Sequence, residues 1–308
     1  MSIDVALERV PDEPWRIDTR GMLLSGRADV SFPRQPEAAA DGFIVCLADT
    51  GLVSIVGRPP RDLIQEIVGA LDGDVTVLCQ PTDASYVARS FAGWRRTNAV
   101  LLALCGRPDW ADGDETGARI FSLRDAPRLT HLPARLRAEL TSALSGRPST
   151  RGAPGELPDA DLPPVLDPIS VAASWAGQLP VSFCYPALRT ERWWDVSIET
   201  LLEHRRQGHG ARAVRTMTRY MWQTGRWPVW GAPADNLASL SLARSLGFEE
   251  VGRLAVFSTP DRGWGGSSLE NVRSGDSGTT AASHEQPDEH GDCNEWHERD
   301  EEGSGHHG

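Results

Sequence analysis

Apolar positions along the chain follow two rhythms, one of period two and one near 3.6, and they alternate in blocks. Gly42–Asp49 (GFIVCLAD) and Leu52–Gly57 (LVSIVG) are strand-like runs separated by Thr50-Gly51, a hairpin signal. Pro59-Pro60 then opens a helical stretch in which Leu63, Ile64, Ile67, Val68 and Leu71 share one face. A strand (Asp74–Cys79), a helix (Asp83–Ala92) and a second apolar strand (Asn98–Leu104) follow. Residues 1–20 read as a short amphipathic turn and a proline-containing link. Strands alternating with helices predict an α/β chain with a mixed, partly parallel sheet.

A second block begins near Ile120. Leu132–Leu144 predicts a helix, with Leu136, Leu140 and Leu144 stacked at four-residue intervals. The Pro-, Gly- and Asp-rich stretch Gly146–Pro168 predicts a long surface loop. Three strands follow, Ile169–Trp175, Leu179–Tyr185 and Trp193–Thr200, the first two joined at Gly177-Gln178. After them come a helix with Ala211, Val214, Met217 and Met221 on one face, and a strand at Trp227–Gly231. A helix over Asn236–Leu246, closed by Gly247, and a last strand over Glu250–Ser258 end the pattern. By order of elements the first block is a partial copy of the second.

One turn stands out chemically. Arg205-Arg206-Gln207-Gly208-His209-Gly210-Ala211 joins the Trp193–Thr200 strand to a helix. Glycines let a ligand approach the backbone, the first helical N–H groups lack partners inside the helix, and arginines add charge-assisted bonds. The turn therefore predicts a grip on a pyrophosphate, with the reactive end of the same cofactor on the preceding strand. The matching place in the first block is Gly57-Arg58-Pro59-Pro60, where two prolines remove two N–H donors. If the blocks are duplicates, the first has lost this grip.

Charge narrows the function. The net charge is −12, but −9 of it lies in residues 259–308, so the body is nearly balanced and carries no electrostatic footprint for nucleic acid. The tail has few apolar residues and predicts disorder, and its His290, Cys293 and His297 match no zinc spacing. All basic residues are arginine, which excludes lysine Schiff-base chemistry. Five scattered cysteines without a CxxC pair predict reduced thiols and a reducing, cytoplasmic compartment. The first residues lack a signal-peptide pattern, and no apolar run approaches the ~20 residues of a membrane span.

The turn Arg205-x-x-Gly208-x-Gly210, followed by Asn236-Leu-Ala-Ser239 with Ala243, Leu246, Gly247 and Phe248, resembles the GNAT superfamily of acyl-CoA-dependent N-acetyltransferases. The resemblance covers about residues 125–258 and, more weakly, the ordered chain as a tandem of two such folds. It implies a degenerate unit over 1–124, a working unit over 125–258 and an acidic tail over 259–308. It implies a mixed sheet splayed after Trp193–Thr200, with the acyl-pantetheine arm of acetyl-CoA paired to that strand at Ile198 and Thr200. The pyrophosphate would rest on the amides of Gln207, Gly208, His209, Gly210 and Ala211, helped by Arg205 and Arg206. Asn236 and Ser239 would hold the far side of the cofactor. The acceptor would be the amine of a small molecule or peptide.

A base must take a proton from that amine. Asp195 and Glu199 lie four apart on one face of a regular strand, with Glu199 placed first; pairing with Arg189 or Arg192 is the alternative. The tyrosine that the resemblance places four residues before Gly247 is Ala243 here, leaving Tyr185 and Ser239 as stand-in acids. Other readings remain open. Gly208-x-Gly210-x-x-Ala213 also fits a dinucleotide fingerprint, but without its acidic residue ~20 positions on. Trp193, Trp194, Trp227 and Trp230 read as packing before pocket, Asn236 suits a helix N-cap, and His204 and His209 read as solvated. A non-catalytic acyl-CoA sensor would keep the same grip.

Overall fold

A computed structural model of the protein describes residues 2–34, 42–113, 116–141 (apart from 122, 135, 138 and 139) and 170–259. The Gly146–Pro168 stretch and the acidic segment after 259 lie outside the described residues.

Eleven strands form a single mixed sheet. In chain order they are β1 Asp29–Ser31, β2 Gly42–Leu47, β3 Leu52–Gly57, β4 Thr76–Cys79, β5 Arg95–Ala103, β6 Ala118–Phe121, β7 Val171–Ala176, β8 Leu179–Arg189, β9 Trp193–Thr200, β10 Trp227–Pro233 and β11 Glu249–Ser258. Their order across the sheet is β1-β2-β3-β4-β11-β5-β10-β9-β8-β7-β6. The pairs β3–β4 and β9–β10 are parallel, and each is followed outward by an antiparallel hairpin. Each half thus repeats the same run of strands about the middle of the sheet. The halves have also traded their last strands. β11, from the C-terminal half, lies between β4 and β5, while β5, from the first half, pairs with β10.

Alternation along the central strands builds the core. Ala99, Leu101 and Ala103 of β5 face one side with Leu254 and Val256 of β11. Val100, Leu102 and Leu104 face the other. That second side is covered over the C-terminal half by α5 (His209–Trp222) and α6 (Leu237–Ser245). Over the first half it is covered by α3 (Arg61–Gly69), whose Ile64 and Val68 are the buried residues of the predicted apolar face, and by α4 (Ala84–Val87).

The first side is covered by the N-terminal segment, which is more than a link. It forms α1 (Ile3–Glu8) and α2 (Ile17–Leu24). Met22 and Leu23 pack with Phe43 and Val45 of β2, and Ile17 packs with Trp193 of β9. The sheet curls round α2, since Leu188 of β8 joins the same cluster as Phe43. Polar bonds fix the segment to the C-terminal half. Arg20 makes a two-pronged pair with Glu191 and donates to the carbonyls of Leu7 and Val10. Asp12 accepts from the Arg192 amide at 2.9 Å, and its carbonyl accepts from the Trp193 indole at 3.2 Å. The same side carries Leu136 and Leu140 of the expected stack, buried with Leu132 against Phe121 and Phe183, while Leu144 lies outside the described residues.

Cys46, Cys79 and Cys184 are buried free thiols. Cys105 is disulfide-bonded, so the expectation of reduced thiols throughout does not hold. Among the described residues no helix is long and apolar enough to cross a membrane.

Candidate active site

The parallel pairing of β9 with β10 runs only from Trp193–Trp227 to Asp195–Val229. Beyond that point Trp230–Pro233 stay with β5, while Val196–Thr200 stay with β8. The two strands therefore splay, and a groove opens whose apex is Asp195. Backbone groups point to alternate edges of a strand. The Trp193 carbonyl and the Leu201 amide bond on the β8 side, whereas the Arg192 carbonyl accepts from Trp227 on the β10 side. The even-numbered residues thus turn their N–H and C=O groups toward the groove. Past Asp195 these are Val196, Ile198 and Thr200.

The groove ends at the predicted turn. Arg206 has φ +63° and Gly208 has φ +80°, and α5 starts immediately after. A side chain at Gly208 would be strained in this left-handed backbone. The first amide of this run with a helical partner is that of Arg212, which donates to the Gly208 carbonyl at 3.1 Å. Among the described residues no acceptor meets the backbone N–H groups of Gly208, His209, Gly210 and Ala211. At Gly210 a Cβ would stand 3.3 Å from Leu242 and 3.4 Å from the Thr200 hydroxyl. Glycine there lets the helix start press against the end of β9.

Side chains brace the turn from behind. The Arg205 Nε donates to the Thr200 carbonyl at 3.2 Å, Arg212 to the Gln207 carbonyl at 3.2 Å, and the Gln207 amide to the Glu203 carbonyl at 3.0 Å. Arg206 is exposed. His209 corrects the expectation of a solvated ring: it is only 7% exposed. Its Nδ1 lies 2.9 Å from the Ser174 hydroxyl and 3.1 Å from the Arg212 guanidinium. A guanidinium can only donate, so Nδ1 accepts and the proton sits on Nε2. Burial first, then the charges of Arg212 and His204, lower its pKa and keep it neutral near pH 7.

Opposite the turn, the Asn236 side chain caps α6 by accepting from the Ser239 amide at 3.0 Å, as its position predicts. The Ser239 hydroxyl accepts from the Trp230 indole at 2.9 Å. Ala243 is fully buried in the core and offers no acid. Tyr185 packs beside Phe183 and Leu140. Trp193, Trp194 and Trp230 are buried packing residues.

The phase of β9 is unbroken, because Trp194, Val196 and Ile198 all face α5. Asp195 and Glu199 consequently share the opposite face. The register shift lies in β8, between Pro186 and Arg189, across from Asp195. Glu199 is 3% exposed and already partnered. For Asp195 no guanidinium partner is found among the described residues, so neither Arg189 nor Arg192 neutralises it. Its neighbour is a residue that sequence reasoning missed, Asp18 of α2. Both carboxyls sit deep in the protein mass while keeping a little surface of their own. Desolvation pushes Asp18 up to about 6. Desolvation, and then the charge of Asp18, push Asp195 well above the usual carboxylate range.

In the first half the corresponding features are closed. All four residues of β4 pair with β3, from Leu52–Thr76 to Ile55–Cys79. The helix after β3, α3, has Pro60 at its N-cap position, and the Pro59 carbonyl is taken by the Tyr86 hydroxyl at 2.8 Å.

Residues 173–257 match the family model of the GNAT acetyltransferases. This stretch is where the chain is similar to that family. This segment contains the splayed strands, the Gly208 turn and both following helices. The chain is similar in fold to a GCN5-related N-acetyltransferase-like protein from Streptococcus suis, at 13% identity over 83% of this chain and 99% of that one, with a TM-score of 0.56. Looser likenesses are a GCN5-related N-acetyltransferase from Kribbella flavida (18% identity, 83% and 96% covered, TM-score 0.47) and a tandem GNAT protein from the clavulanic acid biosynthesis pathway (15%, 83% and 93%, 0.49). No curated protein sequence matches the chain. The matched segment relies on β5 from outside itself, since β10 and β11 both pair with it.

Proposed function

We propose that the GNAT domain transfers an acetyl group from acetyl-CoA to an amine acceptor by direct attack. The observation that carries this reading is the continuous polar track from the open amides of Gly208–Ala211, along the free edge of β9, to Asp195 at the groove's apex. The four amides suit a doubly anionic pyrophosphate, and Arg205, Arg206 and Gln207 border it. Ile198 offers its N–H and C=O, and Thr200 its N–H, to the amides of a pantetheine arm, as an added strand would, the Thr200 carbonyl being taken by Arg205. At ~3.3 Å per residue, Asp195 lies roughly 17 Å from Thr200, a span an extended arm can cover. Asn236 and Ser239 border the opposite wall. Acetyl-CoA supplies the acyl group as an activated thioester.

This geometry ranks Asp195 above Glu199 as the base. Glu199 lies near the phosphate end and is engaged, while Asp195 stands at the groove's apex, where the acyl end arrives. Residues 1–124 and 125–258 are read as a degenerate and a working unit. The test is to incubate the protein with acetyl-CoA and a panel of amines and follow free thiol. Acceptor-dependent thiol release, abolished by Gly208→Asp, supports transfer; tight CoA binding without release from any amine assigns the domain to sensing.

A further inference from the structure

The amide of Gly208, first of the four open N–H groups, belongs to the same planar peptide as the Gln207 carbonyl, and the two point opposite ways. Glycine takes either sign of φ at little cost, so nothing in Gly208 itself decides which way this peptide faces. Arg212, one turn into α5, decides it. Its Nη2 donates to the Gln207 carbonyl at 3.2 Å, and its Nη1 donates to His209 Nδ1 at 3.1 Å. The ring that anchors Arg212 is in turn anchored in the sheet. Ser174 of β7 is fully buried, and its hydroxyl lies 2.9 Å from Nδ1 and 3.3 Å from the Gly117 carbonyl. The His204 ring stands nearly perpendicular to that of His209, 5.9 Å away between centroids. A line of contacts thus runs from β7 through Ser174, His209 and Arg212 to the Gln207 carbonyl and, by the peptide plane, to the Gly208 N–H.

That line holds only while Nδ1 offers a lone pair. A second proton on the ring would set an N–H and a positive charge against the guanidinium. The Ser174 hydroxyl can turn to accept from such an N–H, so the guanidinium is the partner displaced. Nothing nearby offsets the clash. Among the described residues no carboxylate pairs with His209 or Arg212. Toward α5, β7 and β8 turn Ser174, Ser182 and Cys184, and β9 turns Thr200 while Asp195 and Glu199 keep the far face. Arg119 of β6 is paired with Asp125, Arg205 is held at the Thr200 carbonyl, and Glu203 is exposed. Leu242 of α6 meets the helix start with an apolar side chain. The charges that reach the ring are those of Arg212 and His204.

We propose that His209 is a positioning residue for the cofactor: as the neutral ring it clamps Arg212 on the Gln207 carbonyl and turns the Gly208 amide toward the pyrophosphate, and as the imidazolium it releases the clamp, so that the grip loosens in acid. This rests on the reading of the turn as the seat of CoA's pyrophosphate. Burial and the two cationic neighbours place the change below the ordinary histidine range. Affinity is therefore complete at neutral pH and lost as pH falls through the folded value. The sign separates a brace from a charge, since an imidazolium acting directly on phosphate would tighten binding in acid.

The test is calorimetric titration of the full chain with 3′-dephospho-CoA at half-unit steps from pH 8 to 5, with circular dichroism checking the fold at each step. That ligand lacks the phosphate monoester whose own proton uptake at about pH 6 would enter the curve. Kd should rise about tenfold between pH 7 and 5, the worth of one hydrogen bond to a charged group. His209→Asn puts an amide oxygen where Nδ1 stands and takes no proton. It should bind within about threefold of wild type at pH 8 and stay level down to pH 5. His209→Ala should be about tenfold weaker at pH 8 and equally level, and His204→Asn should keep the wild-type slope. A wild-type Kd that stays level or falls in acid overturns the proposal and leaves the cofactor reading standing. So does a His209→Asn protein as weak as His209→Ala, or a slope that vanishes with His204. Failure of both dephospho-CoA and CoA to bind at pH 8 removes the cofactor reading and the proposal together.

Discussion

Replacing Asp18 by Asn should make the protein more stable at pH 8 and leave it unchanged at pH 4. The folded state holds the Asp18 proton more tightly than the unfolded chain does. Stability from this residue is therefore present below the ordinary carboxyl value and lost as pH rises toward the folded one. A shift from 3.8 to about 6 corresponds to roughly 3 kcal/mol at 1.36 kcal/mol per unit. That figure is a ceiling, because the carboxyl keeps some contact with the crevice and Asn leaves its own amide to be satisfied. For a folded body of this size each kcal/mol moves Tm by about 2–4 °C, so the ceiling is roughly 6–12 °C. The assay is a set of thermal melts by circular dichroism at half-unit steps from pH 4 to 8, wild type beside variant. The gap between the curves should open between pH 4 and 6 and then level. A constant offset across the range, or a wild type that is more stable at pH 8, would refute the account of a buried charge without a counter-ion.

Other expectations follow from the groove and its supports. Gly208→Asp should weaken CoA binding at least tenfold by calorimetry, since the left-handed backbone costs a side chain ~1–2 kcal/mol and the carboxylate opposes phosphate. Gly208→Asn, which tolerates that backbone and adds no charge, should lose less. Asp195→Asn should lower acceptor turnover by roughly 10²–10⁴-fold with CoA binding retained, and Glu199→Gln should leave more of the rate, measured by thiol release. Arg20→Ala removes the pair with Glu191 and the bonds to two carbonyls, so Tm should fall by the equivalent of about 1–3 kcal/mol.

Much of the groove was legible because its signals are local. The strand Trp193–Thr200 shows its period within eight residues, Gly208 marks a left-handed turn, and Asn236 stands where a cap belongs. What escaped depends on distant partners. Asp18 looks like any acidic residue in a first helical turn until the sheet curls and brings Asp195 to it. His209, set between two glycines in an arginine-rich turn, gives no hint that Ser174 waits behind it. The exchange of β5 and β11 is equally silent, since both are apolar runs of similar length and either could close its own half.

That exchange has a genetic corollary. β11 has only β4 and β5 as neighbours, so a gene trimmed to the matched 173–257 segment would encode a final strand with nothing to lie against. The first half cannot be discarded by deletion without removing both strands that β11 lies between. Sequence drift in the first half is free to alter its turn but not the strands on which β11 rests.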